Sequence, residues 1–102
     1  SDIWSTKLIN EGVIVNSMHP GWVNTPGIRK YLPSFTKLIK NRLRSKSEGA
    51  DTIIWLATSE KQNLETGELW FDRKKVNKYL WFTKERPEER LALWNFCNSF
   101  NK

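Results

Sequence analysis

The residues with the clearest chemical potential lie in HPGWVNTPG, residues 19–27, which hold two prolines, two glycines and the one histidine of the chain. Gly21 would let the backbone approach a flat ligand closely, and Pro20 would fix the turn. The hydroxyl of Thr25 could bond an amide or a phosphate. The segment, which we call the Pro-Gly loop (residues 19–27), is therefore predicted to bind a ligand.

Catalytic residue sets do not accompany this loop in the sequence. One histidine and one cysteine are too few for a metal cluster or a Cys–His pair, and no Gly-x-Gly-x-x-Gly or Walker sequence occurs. His19 is predicted to orient the loop through a hydrogen bond rather than to react. The hydroxyl of Ser45 is explained by helix capping. We therefore predict binding residues but neither a catalytic group nor a metal ligand.

The element that positions the loop is a predicted strand over 13–18. Residues 13–15 are consecutive β-branched residues, which are typical of a strand buried on both faces of a parallel sheet. Open α/β sheets bind ligands at the carboxyl ends of such strands. A helix is predicted over 2–11, and Gly12 can take the left-handed conformation that ends it. Together they resemble the second half of a strand–helix–strand unit.

Beyond the Pro-Gly loop, heavy proline and glycine punctuation predicts irregular structure as far as Pro33. Residues 34–44 then predict a short amphipathic helix that could cover a cleft as a lid. Its apolar face would be Phe35, Leu38, Ile39 and Leu43.

Ser45 and Glu48 have the spacing of a capping box, which predicts a helix from about 46 to 59. Its apolar face would be Ala50, Ile53, Ile54 and Ala57, widened by Trp55 and Leu56. The aromatic run 68–71 predicts a second strand, which the following basic residues would end. A strand, a long helical crossover and another strand predict two parallel neighbours.

The C-terminal region is predicted to be irregular over 76–86 and helical after Pro87, with Glu88 and Glu89 near the positive end of the helix dipole. The apolar stripe of this helix would be Leu93, Trp94, Cys97 and Phe100. Four tryptophans lie on predicted core faces, whereas Trp22 and Trp81 lie in predicted loops. The four are Trp4, Trp55, Trp70 and Trp94.

The excess of basic residues is compatible with an anionic partner. Lys and Arg outnumber Asp and Glu by 17 to 11, for a net charge of +6, and Arg29–Lys46 holds seven basic residues and no acidic one. Such a run is usually a solvated face, but it can also attract nucleic acid or anionic lipid. A basic nucleic-acid-binding module therefore stays as a minor alternative.

The lone Cys97 fits a reducing compartment. No run of about 18 apolar residues and no signal peptide occurs, so we expect a cytoplasmic protein without a membrane span. Ser1 stands where an initiator methionine would, and a helical pattern begins almost at once. We therefore expect a fragment or a processed product.

The segment from Asn16 to Thr25 resembles the short-chain dehydrogenase/reductase family, a group of NAD(P)-dependent oxidoreductases on a Rossmann fold. In that family a strand runs into Asn-x-x-x-Pro-Gly-x-Val-x-Thr. The matching residues here are Asn16, Pro20, Gly21, Val23 and Thr25. SEGADTIIWLA and GELWFDRK are similar to the family's next helix and strand, so the resemblance covers roughly residues 1–80.

The resemblance implies an α/β fold, as a C-terminal fragment of a Rossmann-type doubly wound parallel sheet with two parallel strands and about four helices. Residues 1–80 would be the C-terminal part of the oxidoreductase domain, and 81–102 a helical extension. The implied NAD or NADP contacts are Pro20, Gly21, Trp22, Val23 and Thr25, with the backbone around Val23 holding the nicotinamide carboxamide. Residues 28–44 would be the substrate lid, with Ile28, Tyr31, Leu32 and Phe35 facing a carbonyl or alcohol substrate.

The departures from the family concern catalysis. The family's glycine-rich phosphate loop and its Ser and Tyr-x-x-x-Lys set have no counterpart, since Phe35 and Thr83 stand where a lysine would follow Tyr31 and Tyr79. We therefore predict that this chain alone transfers no hydride. The main alternative is a non-catalytic remnant that acts as an interaction module and self-associates through its uncovered apolar face, because two strands are few for an independent sheet. The six Trp, five Phe and two Tyr likewise need cover from their own fold or a neighbour.

Overall fold

The computed structural model describes residues 1–60 and 64–100 of the 102. Residues 101–102, which belong to the predicted C-terminal extension, lie outside this part. The helices are α1 (Asp2–Leu8), α2 (Pro26–Tyr31), α3 (Pro33–Leu38), α4 (Lys46–Thr58) and α5 (Pro87–Ser99), with 3-10 turns at Ile9–Glu11 and Lys40–Arg42. The strands are β1 (Ser17–Met18), β2 (Leu69–Phe71) and β3 (Lys74–Val76).

The sheet has the order β1-β2-β3. β1 and β2 are parallel, with Ser17 opposite Leu69 and Met18 opposite Trp70, which confirms the α/β class and the predicted parallel pair. β2 and β3 are antiparallel, with Trp70 opposite Lys75. The described residues thus form a mixed three-stranded sheet with five α-helices, one strand and one helix more than predicted.

The strand β2 ends before the basic run, as predicted, but the run itself forms a strand, β3, that was not predicted. Asp72 and Arg73 both have positive φ, 49° and 59°, as the two-residue turns that join hairpin strands require. Arg73 is held there because its N–H donates to the Thr52 hydroxyl at 3.3 Å. The lysines at 74 and 75 are exposed, as is common on an edge strand.

The first strand is shorter than predicted, because only Ser17–Met18 of the range 13–18 pair as a strand. Before it, side chains supplement the backbone bond from the Gly67 N–H to the Val15 carbonyl at 2.7 Å. The N–H of Val15 donates to the Thr66 hydroxyl at 3.0 Å, and the Asn16 amide bonds the backbone of Glu65 and of Glu68, both at 2.8 Å. Val13 is 41% exposed, so this segment is not buried on both faces.

The first helical segment ends where predicted, but its last residues form a 3-10 turn instead of an α-helix. The predicted span 2–11 is α-helical to Leu8 and then a 3-10 turn, and Gly12 closes it in the left-handed region at φ 69°.

Two predictions about residues 19–44 were wrong. α2 begins inside the predicted irregular stretch, because Thr25 is its N-cap and Pro26 its first residue, a pattern that favours helix initiation as much as a loop. The predicted helix 34–44 ends at Leu38, since Arg44 is instead paired with Val23 as an isolated parallel bridge. That pairing requires extended backbone just before α4.

The helix α4 confirms the predicted capping box. Glu48 N–H donates to Ser45 Oγ at 3.2 Å, and Ser45 N–H donates to Glu48 Oε2 at 2.6 Å. Its predicted apolar face is wrong, because Ile53 and Ile54 are 54% and 58% exposed. The residues it buries are small ones, Gly49 and Thr52, which allow close approach to the Pro-Gly loop and the β2–β3 turn.

The core is small. Within the described residues Trp70 is the one buried hydrophobic residue, and its ring lies 5.3 Å from that of Trp55. The solvent-accessible surface is 8417 Å², whereas a folded monomer of this mass would expose about 6,000 Å². Much apolar surface is therefore left without cover by the chain itself.

The helix α5 begins at Pro87, as predicted, and packs through Trp94, whose ring lies 5.0 Å from that of Trp4. The rest of the predicted stripe is not buried, since Leu93 and Phe100 are 63% and 71% exposed and Cys97 is exposed. No helix of the described part is both long and apolar enough to cross a membrane.

Candidate functional site

The Pro-Gly loop leaves the sheet at the carboxyl end of β1. The N–H of His19 donates to the Trp70 carbonyl at 3.0 Å, which extends the parallel pairing by one step. The imidazole Nδ1 of His19 accepts from the N–H of Gly21 at 3.0 Å. The predicted orienting role of His19 is thereby confirmed, and it holds Gly21 in the left-handed conformation at φ 75°.

The close approach predicted at Gly21 is made by Arg44. A Cβ atom added to Gly21 would lie 2.8 Å from Arg44 Nε and 3.2 Å from its guanidinium carbon. The same guanidinium lies over the ring of Phe71, with its carbon 4.8 Å from the ring centroid. The flat group next to this glycine is thus a side chain of the protein itself.

Arg44 is also paired with Asp72 through two hydrogen bonds, of which Nη2 to Oδ2 is 2.6 Å. The hydrogen bond from the guanidinium holds the pKa of Asp72 below its usual value and raises the pKa of Arg44. Sequence reasoning missed Arg44 as a site residue. Its position just before the capping box and the position of Asp72 just after β2 were the available signals, but neither indicates that the two side chains meet.

The backbone N–H and C=O groups of Val23 point away from Arg44, although the two residues form a backbone bridge. In the bridge between them, the Arg44 N–H donates to the Trp22 carbonyl at 2.8 Å and the Asn24 N–H donates to the Arg44 carbonyl at 2.9 Å. Backbone groups of an extended chain alternate in direction, so the N–H and C=O of Val23 point to the other side. Among residues 1–60 and 64–100 neither group has a hydrogen-bond partner. One donor and one acceptor side by side fit a carboxamide, the group that the resemblance assigns to this position.

Thr25 caps α2, since its Oγ1 accepts from the Ile28 N–H at 3.4 Å. A threonine hydroxyl that accepts one bond can still donate its proton, so capping does not prevent a ligand contact.

The predicted lid residues are only partly brought to the loop. The ring of Phe35 lies 4.7 Å from that of Trp22, which is itself 52% exposed. Ile28 is half-buried at the start of α2. Tyr31 and Leu32 are 74% and 46% exposed. The structure therefore joins Phe35 to the loop but leaves Tyr31 largely in solvent.

Charged residues beside the loop line a cavity of about 320 Å³. They are Arg44, Glu48, Asp51, Asp72 and Arg73. Asp51 and Arg73 form a second two-point ion pair, with Nε to Oδ2 at 2.8 Å, and the Arg73 hydrogen bond lowers the pKa of Asp51. The hydrogen bond from the Ser45 backbone lowers the pKa of Glu48. Both guanidiniums are thus matched by carboxylates.

A larger cavity, about 610 Å³, lies between α1 and α5. Its polar wall is a cluster in which the Tyr79 hydroxyl donates to Glu85 Oε1 at 3.0 Å and accepts from Arg90 at 2.6 Å. Burial raises the pKa of Tyr79. None of the predicted cofactor or lid residues lines this cavity.

Comparisons with known proteins bear on this geometry. The chain is 46% identical over 66 residues to human dehydrogenase/reductase SDR family member 12, covering 64% of the chain and 21% of that protein. Its bovine counterpart is 44% identical over 64 residues, covering 62% and 20%. A Streptomyces sp. (strain C5) protein, DnrU, named as a candidate daunorubicin C-13 ketoreductase, is 39% identical over 62 residues, covering 61% and 22%.

These matches confirm the predicted resemblance: the chain is similar to a C-terminal portion of a short-chain dehydrogenase/reductase. In particular it resembles family member 12 of that group. The chain spans about a fifth of the length of these relatives. No protein-family model matches the chain, and no solved structure does.

Proposed function

We propose that this chain is the C-terminal segment of an NAD(P)-dependent oxidoreductase with a Rossmann-type sheet, which acts in the cytoplasm on a carbonyl or alcohol. The observation that carries the proposal is that the N–H and C=O of Val23 have no partner among residues 1–60 and 64–100, in a loop of the family's pattern at the carboxyl end of a parallel strand pair. The similarity to family member 12 supports the same assignment.

In this proposal the Val23 N–H donates to the nicotinamide carboxamide and the Val23 carbonyl accepts from it. The Thr25 hydroxyl donates to the carboxamide or to the pyrophosphate while it caps α2. His19 holds Gly21 so that Val23 faces the ligand, and the Trp22–Phe35 pair excludes water from one side. The cofactor, when bound, would supply a hydride to a carbonyl in its reduced form or accept one from an alcohol in its oxidised form.

In this proposal each region of the chain has its own role. Residues 1–80 complete the oxidoreductase domain, with the Pro-Gly loop on the nicotinamide side and residues 28–44 as the substrate lid. Within the lid, the Phe35 ring packs against Trp22 of the loop, and Ile28, Tyr31 and Leu32 complete the apolar surface. The extension that follows, from residue 81, carries the helix α5. Proton transfer to the substrate falls to residues outside this chain, so the chain alone transfers no hydride.

The test is an NADPH titration of the full-length gene product, followed by energy transfer from tryptophan to the nicotinamide. Val23→Pro removes one N–H but keeps both bonds to Arg44, which come from residues 22 and 24. We expect the dissociation constant to rise at least about tenfold, as for loss of one ligand hydrogen bond. Thr25→Val should weaken binding as well, whereas Thr25→Ser, which keeps the hydroxyl, should not.

Val13→Ala is the matched control, because it changes an exposed valine just before the same strand. Its affinity for NADPH should equal that of the wild type. Unchanged affinity in both Val23→Pro and Thr25→Val would refute the proposed role of the loop.

The excess of surface favours a second candidate, an interaction module without catalysis. The chain exposes about 2,400 Å² more than a folded monomer of its mass would, which is as large as the interface of a permanent complex. Light scattering at micromolar concentration separates the candidates. A stable oligomer without affinity for NADPH would favour the interaction module, and a monomer that binds NADPH would exclude it.

A further inference from the structure

We propose that Arg44 is the positioning residue of the Pro-Gly loop: its guanidinium, fixed by Asp72 and Phe71, holds the backbone of residues 21–24 in its ligand-binding conformation. We call these three residues the Arg44 clamp. The nature of the ligand rests on the proposed function, whereas the clamp is derived from contacts alone.

The clamp holds the loop at two points. The backbone of Arg44 pairs with the residues on both sides of Val23: its N–H donates to the Trp22 carbonyl at 2.8 Å, and its carbonyl accepts from the Asn24 N–H at 2.9 Å. Its side chain covers Gly21, where any Cβ atom would collide with Nε. One residue therefore sets both the direction of the Val23 N–H and C=O and the path of the chain that leads to them.

The clamp is in turn anchored to the sheet and to α4. Asp72 lies in the β2–β3 turn, and the backbone N–H of the next residue of that turn, Arg73, donates to the Thr52 hydroxyl of α4, a bond that does not depend on the Arg73 side chain. The residue after Arg44 is Ser45, the N-cap of α4. The loop, the turn and the helix thus form a closed ring of contacts, in which Gly49 of α4 lies against the Val23 side chain and Arg44 bonds the loop backbone.

Arginine suits this place better than lysine for a geometric reason. A planar guanidinium can lie flat between Gly21 and the Phe71 ring while it makes two parallel bonds to one carboxylate. An ammonium group is a compact charge that offers neither the flat surface nor the two-point bond. Arg44→Lys should therefore keep the ion pair but loosen the loop.

The experiment measures hydrogen exchange of a peptide covering residues 19–25 in the full-length gene product, together with its affinity for NADPH. In Arg44→Met, which keeps the apolar stem, we expect exchange of the loop to rise about tenfold and the dissociation constant to rise by a similar factor. Arg44→Lys should not restore either value.

Arg73→Met is the matched control, because it breaks an ion pair of the same geometry that does not touch the loop. It should leave loop exchange and cofactor affinity at wild-type values. A second variant separates pairing from positioning: Arg44→Asp combined with Asp72→Arg restores opposite charges but places no guanidinium over Gly21, so loop exchange should stay fast.

Each outcome decides one of the two proposals. Wild-type loop exchange in Arg44→Met, or recovery in the charge-reversed double variant, would overturn the positioning role. Faster exchange with unchanged NADPH affinity would keep the clamp and refute the proposed function of the loop. Equal effects of Arg44→Met and Arg73→Met would show general destabilisation and would also overturn the positioning role.

Discussion

Two regions of the molecule keep their shape by different means. Around the Pro-Gly loop, polar contacts join parts distant in sequence, such as Arg44 with Asp72 and Thr52 with Arg73. Around α5, by contrast, large apolar side chains face solvent. Leu91, Leu93, Phe96 and Phe100 are 56–71% exposed, and Trp81 is 93% exposed.

The loop region is held by hydrogen bonds within the chain, whereas the α5 region leaves its apolar surface exposed to water. Directional bonds within the chain specify the geometry of the loop, so its shape does not depend on cover from elsewhere. The α5 region is held by one aromatic pair and by the charged cluster around Arg90. Its apolar area can contribute to stability only when it is removed from water.

The largest expected effect comes from the central strand of the sheet. Trp70 is buried at 9% exposure in the central strand, and Trp70→Ala should lower the free energy of unfolding by about 3–5 kcal/mol, as for other large core truncations. Urea denaturation measures it. Trp70→Phe should cost less, since it also removes an indole N–H that is buried without a partner among the described residues.

Trp81→Ala is the matched truncation in the exposed region. Because this ring is almost wholly in solvent, the change should stay within about 0.5 kcal/mol. A loss at Trp81 comparable with that at Trp70 would mean that the α5 region is covered in the native protein, and the contrast between the regions would then disappear.

Gly49→Ala should break the contact between α4 and the loop. A Cβ at Gly49 would overlap with Val23 Cγ2 and lie 3.2 Å from its Cγ1, and such overpacking costs about 1–3 kcal/mol. The gain in helix propensity, about 1 kcal/mol, offsets only part of it. Displacement of Val23 should also weaken NADPH binding in the full-length product.

Ala57→Gly is the control within the same helix. It should lose about 1 kcal/mol through helix propensity alone, but loop exchange and NADPH affinity should not change. Equal effects of the two variants on the loop would contradict the close contact at Gly49.

How much of this could be predicted depended on sequence distance. The capping box at Ser45 and the aromatic strand at 69–71 are local signals, and both were confirmed. The parallel pairing followed from the order of elements. The hairpin did not, because Asp72 and Arg73 take positive φ without a glycine or asparagine and depend on Thr52, 21 residues away.

The candidate site divides in the same manner. The pattern from Asn16 to Thr25 identified the loop and the orienting histidine. It could not identify Arg44, because the contact with Asp72 spans 28 residues and arises from the packing of three elements. The backbone bridge between Arg44 and Val23 explains why the helix predicted over 34–44 does not reach Arg44, which must be extended to form the bridge.

A smaller effect on stability is expected from the capping box of α4. Ser45→Ala removes the hydroxyl that accepts the Glu48 N–H, and loss of such a cap costs about 1 kcal/mol. In α5 only the Glu89 side of the box is built, with Oε2 accepting the Arg86 N–H at 3.0 Å, so Glu89→Ala should cost less. Urea denaturation of the two variants compares the caps, and the reverse order would contradict the assignment.

The smallest expected effect is that of pH on the Arg44 clamp, because Asp72 is solvent-exposed and its pair with Arg44 is screened. The guanidinium hydrogen bond lowers the pKa of Asp72 in the folded state. The contribution of the pair is therefore complete above the unfolded pKa, about 3.9, and is lost as pH falls through the lower folded value.

The measurement is the free energy of unfolding of the wild type minus that of Asp72→Asn, followed from pH 7 downwards. Glu48 and Asp51 line the same cavity, and the pKa of each is lowered as well. The charge of Asp72 raises the pKa of Asp51, so the difference between the two proteins includes this coupling as well as the Arg44 pair. The difference should be constant to about pH 4 and shrink below it, whereas a difference that grows on acidification would mean that Asp72 is not stabilised in its charged form. Asp51→Asn should show the same pH dependence without a change in loop exchange, since its partner Arg73 does not touch Gly21.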